Sequence, residues 1–97
     1  IRYIEVKTTA RVSPPNPDFQ DSINLTRNEW VAAGQQKEHF YIYRLYFTNS
    51  GIFLYIINNP YQKDRDGQIY VTPTSYRMEY VMRVADQTVT FEDHEQR

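Results

Sequence analysis

Apolar and polar residues alternate along the first nine positions. Ile4 and Val6 fall on one side of an extended chain, and Tyr3, Glu5 and Lys7 fall on the other. The alternation predicts a half-buried strand whose polar face carries Glu5 and Lys7 as i, i+2 neighbours. Residues 13–18 read Ser-Pro-Pro-Asn-Pro-Asp. Proline lacks an N–H and fixes φ, so this stretch is neither helix nor central strand and is expected as an exposed loop. Ile23 and Leu25 mark a short strand or a hydrophobic staple. Residues 26–36 then carry the only convincing helix pattern. Thr26 with Glu29 three residues later is a capping box. Trp30, Val31, Ala32 and Ala33 supply a partly apolar face, and Gly34 loosens the end.

The second half reads as β structure. Residues 39–47 form a strand rich in aromatics, Asn49-Ser50-Gly51 is a turn, and 52–57 form the returning strand of a hairpin. The unbroken apolar run of 52–57 predicts cover on both faces. Residues 58–68 read as a polar loop and 69–72 as a short strand. From Tyr76 to Val84, Met78, Tyr80 and Met82 alternate with Arg77, Glu79, Val81 and Arg83. Residues 85–97 are polar and acidic, with Val89 and Phe91 as anchors, and are expected as a frayed strand plus a mobile tail. The order predicts an α/β or α+β domain over residues 1–84, built on a mixed central sheet with one short capped helix.

Composition narrows the class. The chain has 97 residues, enough for one domain with a modest core. Aromatics make up 15%, with nine tyrosines, which favours strands. Eleven Lys and Arg against 12 Asp and Glu leave a net charge of −1. That lacks the basic surplus of a dedicated nucleic-acid module, so contact with phosphates would rest on a local patch or on neighbouring domains. There is no cysteine, which excludes Cys-ligated zinc and a Cys nucleophile and favours an intracellular protein. No apolar run approaches the roughly 20 residues of a membrane span. The chain opens at Ile1 directly in a strand-like segment, as expected of an excised piece of a longer protein.

The chemistry concentrates in Glu5-x-Lys7. Metal-dependent phosphodiester hydrolysis needs carboxylates to hold the ion and gains from a cation beside the phosphate or the attacking water. A strand that presents Glu and Lys two residues apart places both beside the same phosphate. The carbonyl of Val6 between them is a further candidate ligand. The spacing alone fits a same-face ion pair on a solvated strand better than a metal site.

Three blocks add to this: Tyr3-Ile4-Glu5-Val6-Lys7-Thr8-Thr9, then Ile23-Asn24-Leu25-Thr26-Arg27-Asn28-Glu29-Trp30, then Tyr41-Ile42-Tyr43-Arg44-Leu45. In that order they resemble the nuclease-like domain at the C-terminus of the plant protein NO VEIN, a group that resembles the PD-(D/E)XK nuclease superfamily. Asn59-Pro60 fits a later turn, and the resemblance covers roughly residues 2–82. It implies a restriction-endonuclease-like fold lacking its N-terminal part. It also implies a magnesium- or manganese-dependent endonuclease acting on DNA in a defence or DNA-processing protein, with helicase or ATPase domains as partners. Glu5 would be a metal ligand and Lys7 the catalytic lysine, with Val6 offering its carbonyl. Arg27, Asn28, Gln35 and Gln36 on the helix would be phosphate contacts. The superfamily's first carboxylate belongs on a strand before Glu5, and only Ile1, Arg2, Tyr3 and Ile4 precede it here. Little or no activity is therefore expected of this segment by itself. A non-catalytic binding module of the same fold is the alternative, and a purely structural β-rich domain is the third reading.

The other candidates have plainer explanations. Glu29 is expected chiefly as a helix cap and Trp30 as core. The tyrosine-rich hairpin is expected as packed sheet surface before base-stacking platform. His39 and His94 have no ligand partners at metal spacing. Asp64-x-Asp66-Gly67 lacks the later bidentate Glu of a calcium loop and reads as a turn.

Overall fold

The computed structural model describes residues 2–92. Strand β1, Tyr3–Ala10, runs parallel to β3, Phe40–Thr48, in register Tyr3 to Phe40 through Ala10 to Phe47. Between them lie β2, Gln20–Asn24, and helix α1, Arg27–Gln36. Parallel strands need such a crossover, because a tight turn returns the chain antiparallel. β3 turns at Asn49 and Ser50 into antiparallel β4, Gly51–Asn58. Helix α2, Pro60–Arg65, and strands β5, Tyr70–Thr72, β6, Arg77–Val81, and β7, Gln87–Glu92, complete the chain. The result is a mixed α+β domain with two sheets, one ordered β1-β3-β4-β7 and the other β2-β6-β5.

Helix α1 begins as the local sequence dictates. The Thr26 hydroxyl accepts from the Glu29 N–H at 3.1 Å, and the Glu29 carboxylate accepts from the Thr26 N–H at 2.9 Å. Two otherwise unpaired donors at the helix start are thereby satisfied. Gly34 lies against the ring of Tyr61, where a Cβ would stand 3.4 Å from two ring carbons. That is ordinary contact, so Gly34 faces α2 without packing demanding a glycine, and it does not end the helix, which continues to Gln36.

Residues 58–68 are not a simple loop. Asn59 accepts from the Gln62 N–H at 3.2 Å, and Pro60 takes the first helical position of α2. Both choices are physically sound, since proline has no N–H to leave unpaired there and its φ is preset for a helix. Asn59 itself sits at φ 53°, in the left-handed region. Replacing it by alanine removes the cap and strains that backbone, at an expected cost of about 1–2 kcal/mol. A denaturation midpoint unchanged from wild type would contradict this.

The segment 13–18 is a loop but is tied down. Pro15 is buried, its carbonyl accepts from the Tyr55 hydroxyl, and the Pro17 carbonyl accepts from the Arg83 N–H. Residues 87–92, expected as a frayed strand, pair with β4 from Gln87–Ile56 to Glu92–Gly51. The alternation of 76–84 holds: Met78, Tyr80 and Met82 are buried. The strand itself is shorter than expected, because Tyr76 turns at φ 53° and Met82–Val84 form a 3-10 turn.

Paired residues on neighbouring strands share a face. One face of the larger sheet carries Ile42, Arg44 and Tyr46, all buried, and packs in the core with Ile23, Ala33, Ile57 and Met78. On β1 this inward face belongs to Glu5, Lys7 and Thr9, not to the apolar residues. Ile4 and Val6 lie on the opposite face and are 42% and 50% exposed. The strand is half-buried as expected, but its polar half is the inner one. Tertiary placement of α1 decides this, because the helix sits over the Glu5–Lys7 side. The run 52–57 is the inner strand between β3 and β7, yet Ile52 and Leu54 remain only half-buried.

Candidate functional site

Glu5 and Lys7 project side by side from β1, opposite Ile42 and Arg44 of β3. Lys7 Nζ stands 3.5 Å from Glu5 Oε2 and donates to Glu29 Oε1 at 3.1 Å. Glu29 meets β1 from the first turn of α1, which packs beside the strand. Its Oε1 accepts from both the Thr26 N–H and the lysine ammonium. The three side chains are about one-fifth exposed, at 21%, 22% and 16% for Glu5, Lys7 and Glu29. They therefore form a partly screened carboxylate–ammonium–carboxylate group at the outer strand of the sheet.

The two carboxylates differ in character. Burial raises the Glu5 pKa, and the neighbouring Glu29 carboxylate adds to this, while the Lys7 charge opposes it. Burial also disfavours the charge on Glu29, but the hydrogen bond from the Thr26 backbone, with those involving Glu5 and Lys7, outweighs it. Glu29 is held below the ordinary carboxylate value. Glu29 is thus the more firmly ionised member and Glu5 the readier to take up a proton.

Of the other residues singled out in the sequence, Arg27 and Asn28 are exposed in the first turn of α1. Gln35 and Gln36 are also exposed but lie six and seven positions beyond Glu29. At 1.5 Å of rise per residue they stand roughly 9–10 Å further along the axis, at the other end of the helix. The structure groups Glu5, Lys7 and Glu29 and separates the two glutamines from them. The side chain of Val6 points away, onto the exposed face of the sheet. The expected turn covers only Asp66 and Gly67, because Asp64 lies in the last turn of α2; Asp64 accepts from the Val71 N–H and Asp66 from the Gln62 amide. His39 is exposed beside Glu38 at 3.6 Å, and His94 lies outside the described residues.

A second polar group lies behind the first. Asp21 of β2 accepts from Arg44 Nε at 2.9 Å, from the Tyr80 hydroxyl at 2.9 Å and from the Tyr46 hydroxyl. Its own neighbour contributes too, since the Ser22 N–H donates to Oδ1 at 2.8 Å. Arg44 is paired in register with Lys7, so the Asp21 network backs the Glu5–Lys7 group across one strand spacing. In the sequence Asp21 belongs to no motif and follows Glu5 instead of preceding it. The signal that could have found it was Arg44: a charge placed within an apolar strand requires a partner.

The donor set does not complete a magnesium or manganese site. Such ions require several oxygen ligands, and among the described residues no three His, Cys, Asp or Glu side chains lie where they could hold one ion. Glu29 Oε1 is already engaged by an N–H and an ammonium. Glu5, the other carboxylate of the group, faces the same ammonium at 3.5 Å.

Across residues 1–57 the chain matches the family model described as Protein NO VEIN, C-terminal. The three blocks at 3–9, 23–30 and 41–45 lie within that span, and Asn59-Pro60 lies beyond it. No curated protein and no solved structure gives a significant match. More than half of the chain is covered, and the blocks that build β1, α1 and β3 are the ones matched, so the chain belongs to the NO VEIN C-terminal family.

Proposed function

We propose that this chain is the Glu5–Lys7-bearing part of a PD-(D/E)XK nuclease-like domain that acts on DNA in an intracellular defence or DNA-processing protein. The observation that carries the reading is the pairing of Glu5 and Lys7 on one strand, 3.5 Å apart, beside the start of α1. Lys7 places a positive charge where a phosphate oxygen would develop negative charge, and Glu5 offers a carboxylate at the same height in the sheet. A magnesium or manganese ion requires a further carboxylate from outside the described residues, in agreement with the donor set above. The segment by itself is therefore inactive. Exposed Arg27 and Asn28 flank the group and are the nearer of the proposed phosphate contacts. Helicase or ATPase domains are the proposed covalent partners, because a net charge of −1 gives this chain little grip on DNA of its own.

The test uses the longer protein that contains this chain. Glu5→Gln and Lys7→Met each lower magnesium-dependent cleavage of plasmid DNA by about a hundredfold or more, with the unfolding midpoint little changed. Cleavage retained by either folded variant sinks the assignment.

The crowding of Lys7 by two carboxylates favours a second reading, a non-catalytic module of the same fold. In that case the wild-type protein binds DNA or a protein without cutting, and Glu5→Gln leaves binding intact.

A further inference from the structure

We propose that Glu29 is the positioning residue for Lys7, and that the capping box of α1 exists to hold a lysine as well as to start a helix. The proposal rests on the reading of Lys7 as a functional group and adds to it the device that places its ammonium.

A lysine side chain has four rotatable bonds and no preferred fork geometry, so its charge wanders unless something fixes it. On β1, Glu5 is two residues away and could hold it, but the distance of 3.5 Å is that of a loose ion pair. Glu29 makes the shorter contact, 3.1 Å, and is itself immobilised. Its Oε1 accepts from the Thr26 N–H at 2.9 Å while its own N–H donates to the Thr26 hydroxyl at 3.1 Å. One carboxylate oxygen therefore joins the first turn of α1 to the lysine of β1. A glutamate serving only as a cap has no need of a strand residue. A lysine serving only as a surface charge has no need of a partner from a helix 22 residues away. The geometry assigns unlike roles to the two acids: Glu29 makes the shorter contact and anchors the ammonium, and Glu5 is the more loosely held carboxylate beside it.

Glutamine separates the two functions of Glu29. A capping box accepts Gln as readily as Glu, so Glu29→Gln keeps the bond from the Thr26 N–H. It removes only the charge that holds Lys7. Thr26→Ala does the reverse, weakening the helix start while keeping the carboxylate. The measurement is the rate at which an amine-acylating reagent modifies each lysine of the full chain, read by peptide mass spectrometry, with exposed Lys37 as internal reference. In the wild type Lys7 reacts more slowly than Lys37. In Glu29→Gln the Lys7 rate rises about threefold or more while Lys37 is unchanged, the size expected for loss of one partly buried charge-assisted bond. In Thr26→Ala the Lys7 rate rises less than in Glu29→Gln.

Wild-type Lys7 reacting as fast as Lys37 overturns the proposal without need of any variant. So does a Lys7 rate unchanged in Glu29→Gln, or one raised equally by Thr26→Ala, which would trace it to fraying of the helix. The nuclease reading fails separately, through absence of cleavage by the wild-type longer protein, and the labelling result stands whichever way that falls. Where cleavage is present, Glu29→Gln lowers kcat with KM little changed, because the group it displaces acts on the reacting phosphate.

Discussion

Replacing Asp21 by alanine destabilises the domain by roughly 3–5 kcal/mol, the range for removing one partner of a buried pair. The reason is what remains behind. Arg44 is 10% exposed at its side chain and Asp21 12%, so neither charge can turn to water for compensation. Without the carboxylate, the guanidinium and the Tyr46 and Tyr80 hydroxyls lose their common acceptor. Burial and the loss of that acceptor together set the cost, and a 97-residue domain has only about 5–15 kcal/mol in total. Asp21→Asn keeps the shape and one acceptor and costs less. Chemical denaturation measures both. A loss below about 1 kcal/mol for Asp21→Ala would show that the network is not a junction between the two sheets.

The same carboxylate gives the fold a pH dependence. Burial raises the pKa of Asp21, but the hydrogen bonds from Arg44 and Tyr46 outweigh this and hold it below the ordinary value. A depressed folded pKa contributes stability that is fully present above the unfolded value, about 3.9, and is lost as pH falls through the folded value. The stability gap between wild type and Asp21→Asn is therefore constant above about pH 5 and narrows at more acid pH. A gap that stays constant down to pH 2 would contradict the assignment. The tyrosines take the complementary shift: burial pushes both hydroxyl pKa values up, helped by the hydrogen bond to Asp21 at Tyr46 and by Tyr46 and then Asp21 at Tyr80, so they stay protonated donors.

Phe40→Ala is the other large loss, about 3–5 kcal/mol by transfer and cavity terms together. Phe40 is fully buried, and its ring stacks on Tyr3 with centroids 4.8 Å apart and an interplanar angle of 13°. Its carbonyl accepts from the Asn59 N–H at 2.9 Å and the Asn58 side chain at 3.3 Å. The residue thus joins the start of β1, the start of β3 and the entry to α2. Phe40→Leu retains most of the volume and costs less than half as much. Equal losses for the two variants would show that the ring, and not its volume, carries the contact. Because Tyr3 lies two residues before Glu5, Phe40→Ala also loosens the strand that carries the candidate site.

The parts of this fold that could be read from the chain are those governed by neighbours. Thr26 and Glu29 are three residues apart, and their reciprocal hydrogen bonds are a local property, so the start of α1 was plain. The alternation at 76–84 was equally plain, since the period of a strand is set by its own backbone. Asn59-Pro60 carried a helix start too, with a capping side chain followed by a proline. The polar composition of 58–68 masked it, because six residues are too few to show an apolar period. The order of three short blocks was enough to reach the family.

What the chain could not reveal depends on residues far apart in sequence. Pattern alone assigns Ile4 and Val6 to one face of β1 and Glu5 and Lys7 to the other, but period two is symmetric and does not say which face is inner. The position of α1 over the sheet broke that symmetry and turned the polar face inward. Asp21 meets Arg44, Tyr46 and Tyr80 over separations of 23, 25 and 59 residues, and no local rule links them. The Glu5-x-Lys7 pair was written in the sequence by itself. Its third member, Glu29, reads chiefly as a cap in the sequence, and only the packing of a helix end against the strand made it a partner of the lysine.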